Sequence, residues 1–241
     1  MMGQFFIFFI KITTTFILDG VNNKFVYQQI EHLGIKSLAI CTITGAFSGA
    51  VMAVQSYKGF QQFGGDHLIG VVVALTLTRE LGPVLTGLMV AGRAGAGISS
   101  EIGTMKVTEQ IDALTTMNVN PIRYIVIPRV LATTIVVPCL TLFSIICGIL
   151  GGYLVSINVL GINGHQFVQS IRNFLSFYDI FGGLVKAFFF GLIISWVATY
   201  KGYSCSGGAQ GVGQATTETV VVSSISIIIV NYFLALLIFG P

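Results

Sequence analysis

Charged side chains make up only 9% of this 241-residue chain, so each one inside an apolar stretch calls for a physical account. Arg79 and Glu80 stand side by side in RELGP, between two apolar pieces. Adjacent opposite charges near membrane depth are costly, at roughly 2.5–3.5 kcal/mol for Arg at a helix centre. They persist where they pair, face a cavity or sit at headgroup level. Two readings follow: an interfacial pair that snorkels, or a polar lining at the mouth of a substrate pocket. Arg93 lies deeper in the same apolar region and offers its guanidinium to an anionic group or to Glu101, two turns on. Lys186 stands in the first turns of a later apolar stretch, where snorkelling is the expectation.

Other chemistry is excluded. Gly92 to Gly97 spells G-x-x-x-x-G, but Ile98 stands where a phosphate loop needs the lysine that neutralises phosphates. A strand should also precede such a loop, whereas this run sits in an apolar helix. The chain is therefore expected to have no ATPase of its own and no cofactor of its own. His32, His67 and His165 lie far apart, and no H-E-x-x-H, G-x-S-x-G or paired intramembrane carboxylates occur, so no catalytic and no metal-binding residues are expected. Cys41, Cys139, Cys147 and Cys205 form no C-x-x-C pair and read as small buried hydrophobes. The basic residues are scattered without interleaved aromatics, which argues against nucleic acid.

A polar island, EIGTMKVTEQID, runs from Glu101 to Asp112 and carries Lys106, Glu109 and Asp112. Val107, Ile111 and Leu114 recur at i, i+4 and i+7, predicting a helix over 104–117 with one apolar face; Lys106, Glu109 and Gln110 point elsewhere. Asn120–Pro121 stops it. A helix too polar to span and too short to stand alone must dock. A groove on a partner protein and the lipid surface are both open to it. Just upstream, Gly87, Ala91, Gly95, Ser99 and Gly103 recur every four residues. Such a stripe of small side chains lets helices approach closely in lipid, within the monomer or against a second copy. Lining a substrate cavity is the alternative.

The elements that must position these residues are membrane helices. Mean hydropathy is +0.88 and 54% of the residues are hydrophobic, far from the balance of soluble domains. Apolar runs near the ~20 residues that cross a bilayer give about five spans, at 37–57, 81–103, 130–157, 180–200 and 219–239. A shorter apolar piece, Leu68 to Thr78, is too short to cross alone. Residues 1–36 read as an N-terminal interfacial segment, and no cleavage site follows the FFIFFIKITTTFIL run. With the N-terminus inside, Lys11, Lys24, Lys36, Lys106, Arg123, Arg129 and Lys201 fall inside, and Lys58, Arg79 and Arg172 outside. That bias follows the positive-inside rule and makes the island cytoplasmic or stromal. The expected class is an all-α polytopic membrane protein with a cytoplasmic helix at the island.

RELGPVLTGLMVAGRAGAGISSEIGTMKVTEQIDAL (Arg79 to Leu114), NPIRYIVIPRVLA (Asn120 to Ala132) and GVGQATTETVV (Gly211 to Val221) resemble the MlaE-type permease family. The resemblance implies a permease domain over 37–241, in an ABC transporter that moves phospholipids or other lipids between membranes. It also implies a homodimer, a cytoplasmic or stromal ATPase subunit that holds the ATP, and an Mce-domain substrate-binding protein. The segment Glu109 to Leu114, with Lys106, Gln110, Ile111 and Asp112, matches the family's ATPase-coupling helix. Arg79 and Glu80 match a segment near the lipid cavity, with Arg93 as a further headgroup candidate. Relatives often carry basic residues near Gln214 and Glu218, which this chain lacks. The rival expectation is an ion- or proton-coupled secondary carrier of a small amphipathic solute, with Glu80 as its intramembrane carboxylate. The implied location is the plastid inner envelope or a bacterial inner membrane.

Overall fold

In the computed structural model, residues 2–20 and 23–240 are described, and they hold helices and no strand. In chain order these are α1 (Met2–Asp19), α2 (Asn23–Phe60), α3 (Ile69–Val107), α4 (Gln110–Thr116), α5 (Ile122–Asn158), α6 (Gly164–Phe174), α7 (Phe177–Tyr203) and α8 (Gly208–Phe239). Five of them, α2, α3, α5, α7 and α8, are long and apolar enough to cross a membrane, at 27 to 39 residues each.

The helices overrun the expected spans, for identifiable reasons. The boundary at residues 36–37 falls inside α2, because the polar stretch before Ser37 contains no proline and stays helical. Leu68–Thr78 and 81–103 prove to be parts of one helix, α3. Gly82–Pro83 does not break it, because the turn Leu77–Leu81 widens to π-helical geometry and Gly82 donates to the Leu77 carbonyl. A second π turn follows at Ala91–Gly95. The expected loop from Lys201 to Glu218 contracts to residues 204–207, with α7 and α8 extending into it.

The helical island is likewise redrawn. One helix over 104–117 is replaced by the end of α3 and a separate α4, with Thr108 and Glu109 between them. Glu109 takes φ 60°, which no helix interior tolerates, so Val107 leaves the predicted apolar face and is exposed. Ile111 remains as the buried anchor of α4, at 1% exposure. Past α4, the side chain of Asn120 accepts from the Ile122 amide, with Pro121 in the first-turn position, and so caps α5.

The chain forms two compact units. The first comprises Met1–Ser37, Val90–Val137 and Phe188–Ile227. Its core sets Phe8 and Ile12 of α1 against Ile122, Val126 and Ile127 of α5, flanked by Trp196, Tyr200 and Tyr203 of α7. Phe5 stacks on Trp196 with ring centroids 4.2 Å apart. Phe5, Phe8, Ile12 and Thr15 lie on one helical face, which is how a short helix seats on a core. Ala91, Gly95, Ser99 and Gly103 of the small-residue stripe are buried in this unit. A Cβ on Gly95 would press on Ile194 of α7 at 3.2 Å, and one on Gly103 would touch Val212 of α8 at 3.5 Å.

The second unit comprises Leu38–Met89, Pro138–Ala187 and Ile228–Pro241. Its core joins Ala53 of α2, Ile69, Val73 and Leu77 of α3, Ile162, and Phe167 of α6. Gly87, the remaining stripe residue, is buried here. In this unit α2 and α5 meet backbone to backbone. A Cβ on Gly49 would collide with the Gly148 carbonyl, one on Gly151 with the Ala46 carbonyl, and one on Gly45 with Ser144. Glycine at these points is a steric requirement of the crossing.

Candidate functional site

The second unit holds the densest polar cluster, and its origin lies in the proline of RELGP. Pro83 has no N–H to give to the carbonyl of Arg79, four residues back. Lys186 of α7 fills that role: its Nζ donates to the Arg79 carbonyl at 2.9 Å. The same ammonium pairs with Glu80 Oε1 at 2.6 Å, while Glu80 Oε2 accepts from Asn231 Nδ2 of α8 at 2.9 Å. Lys186 is fully buried, so the snorkelling expectation is corrected; a buried ammonium is tolerated only beside such partners. Glycine again permits the approach, since a Cβ on Gly183 would strike the Thr78 carbonyl.

Arg79 does not pair with its neighbour Glu80. Its Nη2 lies 2.7 Å and its Nε 2.8 Å from Asp179 Oδ1. Asp179 Oδ2 accepts from the backbone amide of Ser176 at 2.9 Å and from its hydroxyl at 2.8 Å. Ser176 and Asp179 thus form a capping box at the start of α7, and the carboxylate does double service as cap and counter-ion. Phe239, near the end of α8, lies 5.0 Å from the Arg79 guanidinium carbon and 5.1 Å from Lys186 Nζ, ring-centroid distances within cation–π reach. Tyr178 Oη donates to the Ile238 carbonyl at 2.7 Å, fixing that end of α8. Arg79 keeps 42% of its side chain exposed, so the cluster presents a cation to its surroundings.

Beside this cluster runs a groove of about 360 Å³, lined by Thr44, Phe47, Val51, Met52 and Gln55 of α2 and by Leu81 of α3. Leu81 directly follows Glu80, so the groove, whose lining mixes Phe47, Val51, Met52 and Leu81 with Thr44, Ser48 and Gln55, shares a turn of α3 with the charged cluster. That is the shape and polarity an amphipathic molecule would need.

In the first unit, the island's charges mostly serve its own corner. Lys106 Nζ bonds Asp112 at 2.9 and 3.2 Å, tying the end of α3 to α4. Leu114 is half-buried, whereas Glu109, Gln110, Asp112 and Met117 are exposed. The pairing of Arg93 with Glu101 does not form: Glu101 Oε2 instead takes Arg129 Nη2 of α5 at 3.0 Å. Near the start of α8, Glu218 is held by Lys201 at 2.7 Å and by Gln214 at 2.9 Å.

Sequence reasoning missed Asp179, Asn231 and Phe239 as members of the cluster. A signal existed for the first, since Ser176-x-x-Asp179 precedes an apolar run. Asn231 stood out only as an amide within an otherwise apolar span.

Comparison with known proteins gives a consistent picture. The family model described as Permease MlaE matches residues 26–237. A Rickettsia bellii protein named "Probable ABC transporter permease protein" is 48% identical over 238 residues, covering 99% of this chain and 92% of its own. The Haemophilus influenzae "Intermembrane phospholipid transport system permease protein MlaE" is 40% identical over 214 residues, covering 88% and 82%. The Arabidopsis thaliana "Protein TRIGALACTOSYLDIACYLGLYCEROL 1, chloroplastic" is 39% identical over 220 residues, covering 91% and 63%.

Proposed function

Because this chain belongs to the MlaE permease family, a group of multi-pass membrane proteins of ABC-transporter type, we propose that it moves phospholipids between membranes. ATP is bound and hydrolysed on a separate cytoplasmic or stromal subunit. The observation that carries the reading is the groove of mixed polarity lined by Leu81, one residue along α3 from Glu80 of the Glu80–Lys186–Asn231 cluster. Acyl chains suit the groove. The half-exposed Arg79 suits a phosphate headgroup, to which a guanidinium offers a fork of donors.

α4 is the lever. Its exposed Glu109, Gln110 and Asp112 face outward from a corner braced by Lys106 and anchored by Ile111, the form of a short helix that seats in a groove on an ATPase. Motion of the ATPase reaches the spans as a rigid-body shift through the continuous end of α3. A homodimer is supported by α8, of whose most apolar window only 11% is buried, with Ile225, Ile229, Tyr232 and Phe233 exposed. An Mce-domain protein on the far side completes the assembly. The membrane is the plastid inner envelope or a bacterial inner membrane, in keeping with a chloroplastic relative and bacterial ones. A gradient-driven carrier is less well served, since both oxygens of Glu80 are engaged by Lys186 and Asn231.

The test is co-expression with the ATPase subunit. Glu109→Lys combined with Gln110→Glu, which leaves the Lys106–Asp112 brace in place, is expected to abolish co-purification of the ATPase and ATP-driven phospholipid transfer between vesicles, while the permease keeps its melting temperature. Undiminished ATPase capture by that variant overturns the lever assignment. Lipid transfer by the chain alone, driven by an ion gradient, overturns the ABC mechanism.

A further inference from the structure

The first unit contains a second, smaller pocket, of about 200 Å³, walled by His32 and Lys36 of α2 and by Arg93, Gly97 and Glu101 of α3. We propose that His32, Lys36 and Arg93 form a binding site for the phosphate group of an anionic phospholipid. The proposal rests on the lipid-transport reading in taking a phospholipid as the source of the anion.

The charge balance of the pocket points to an anion. His32 and Lys36 sit one turn apart on the same face of α2, and Lys36 Nζ is hydrogen-bonded to His32 Nε2. An ammonium has three protons, so the contact leaves two for a ligand. Arg93 is exposed, and its guanidinium makes no hydrogen bond or ion pair among the described residues. Glu101 is the carboxylate of the wall, and Arg129 already neutralises it at 3.0 Å. Positive charge is therefore left over in the pocket.

The local backbone keeps that charge available. Arg93 projects from the π turn Ala91–Gly95, where the register of side chains departs from the flanking helix. A Cβ at Gly92 or Gly97 would meet nothing within 4 Å, so the surface beside Arg93 is open. An unpartnered guanidinium within an apolar span is expensive unless something meets it. Phosphate oxygens meet a guanidinium fork in bidentate geometry, and a nearby ammonium adds a point charge.

The experiment is native mass spectrometry of the full-length protein, purified in its complex and titrated with dioleoylphosphatidylglycerol, dioleoylphosphatidylcholine or inorganic phosphate. Phosphatidylglycerol should bind more tightly than phosphatidylcholine, and Lys36→Gln with Arg93→Gln should weaken its binding about tenfold. Glu101→Gln should tighten it, because Arg129 then adds an uncompensated charge; tighter binding cannot arise from misfolding. Unchanged phosphatidylglycerol affinity in the double variant, or no gain in Glu101→Gln, overturns the site. Competition by inorganic phosphate as effective as that of the lipid makes the occupant a soluble anion and overturns the lipid assignment. Vesicle-to-vesicle transfer is read separately: its failure in the unaltered complex, with site-dependent lipid binding intact, defeats the proposed function and spares the site.

Discussion

Helix α3 uses the same backbone device twice and completes it differently. At Leu77–Leu81 a widened turn presents Arg79 and Glu80, and both are met from other helices, by Asp179 and by Lys186 with Asn231. At Ala91–Gly95 a widened turn presents Arg93, and no described residue meets it. A π turn is a way to place a polar side chain at a chosen angle in an apolar helix. Whether the placed charge is structural or available is decided by the partners around it. The first turn builds a closed network with one cation left half-exposed; the second leaves its cation wholly for a ligand.

Substitutions can break or sharpen this contrast. The largest effect is expected at Glu80→Leu, which leaves the buried Lys186 without a counter-ion, held only by the Arg79 carbonyl and the Phe239 ring. Removing one partner of a buried pair costs about 3 kcal/mol, to be read as lost unfolding free energy in detergent. Adding Lys186→Met should return most of it, and equal losses in the single and double variants would mean the pair is not coupled. Arg79→Gln should cost about 1 kcal/mol or less, because the guanidinium is half in solvent and Asp179 retains its capping bonds to Ser176. The smallest effect belongs to Arg93→Gln, with stability unchanged within about 0.5 kcal/mol. A loss at Arg93 as large as that at Arg79 would show that the second turn is as structural as the first.

The spans were legible because apolar length is a local property: the five long runs are visible without knowing what they touch. RELGP stood out as a candidate site because opposite charges in an apolar stretch are locally anomalous. The partners were not. Arg79 and Asp179 are 100 residues apart, Glu80 and Lys186 are 106 apart, and Glu80 and Asn231 are 151 apart. Nothing local distinguishes a lysine that snorkels from one that donates to a carbonyl freed by a distant proline. Periodicity also misjudged the island. A helical pattern at Val107, Ile111 and Leu114 cannot reveal that Glu109 turns left-handed, since that choice is made by the docking of Ile111 and by Lys106 reaching Asp112.

The contact between α2 and α5 has a mechanical meaning. Where Gly49 abuts the Gly148 carbonyl and Gly151 abuts that of Ala46, neither helix has a side chain to act as a bearing. A shift that brought any side chain to these glycine positions would drive it into the opposing main chain. These stretches of α2 and α5 are therefore expected to move as a single strut in a transport cycle, with the yielding left to contacts cushioned by side chains.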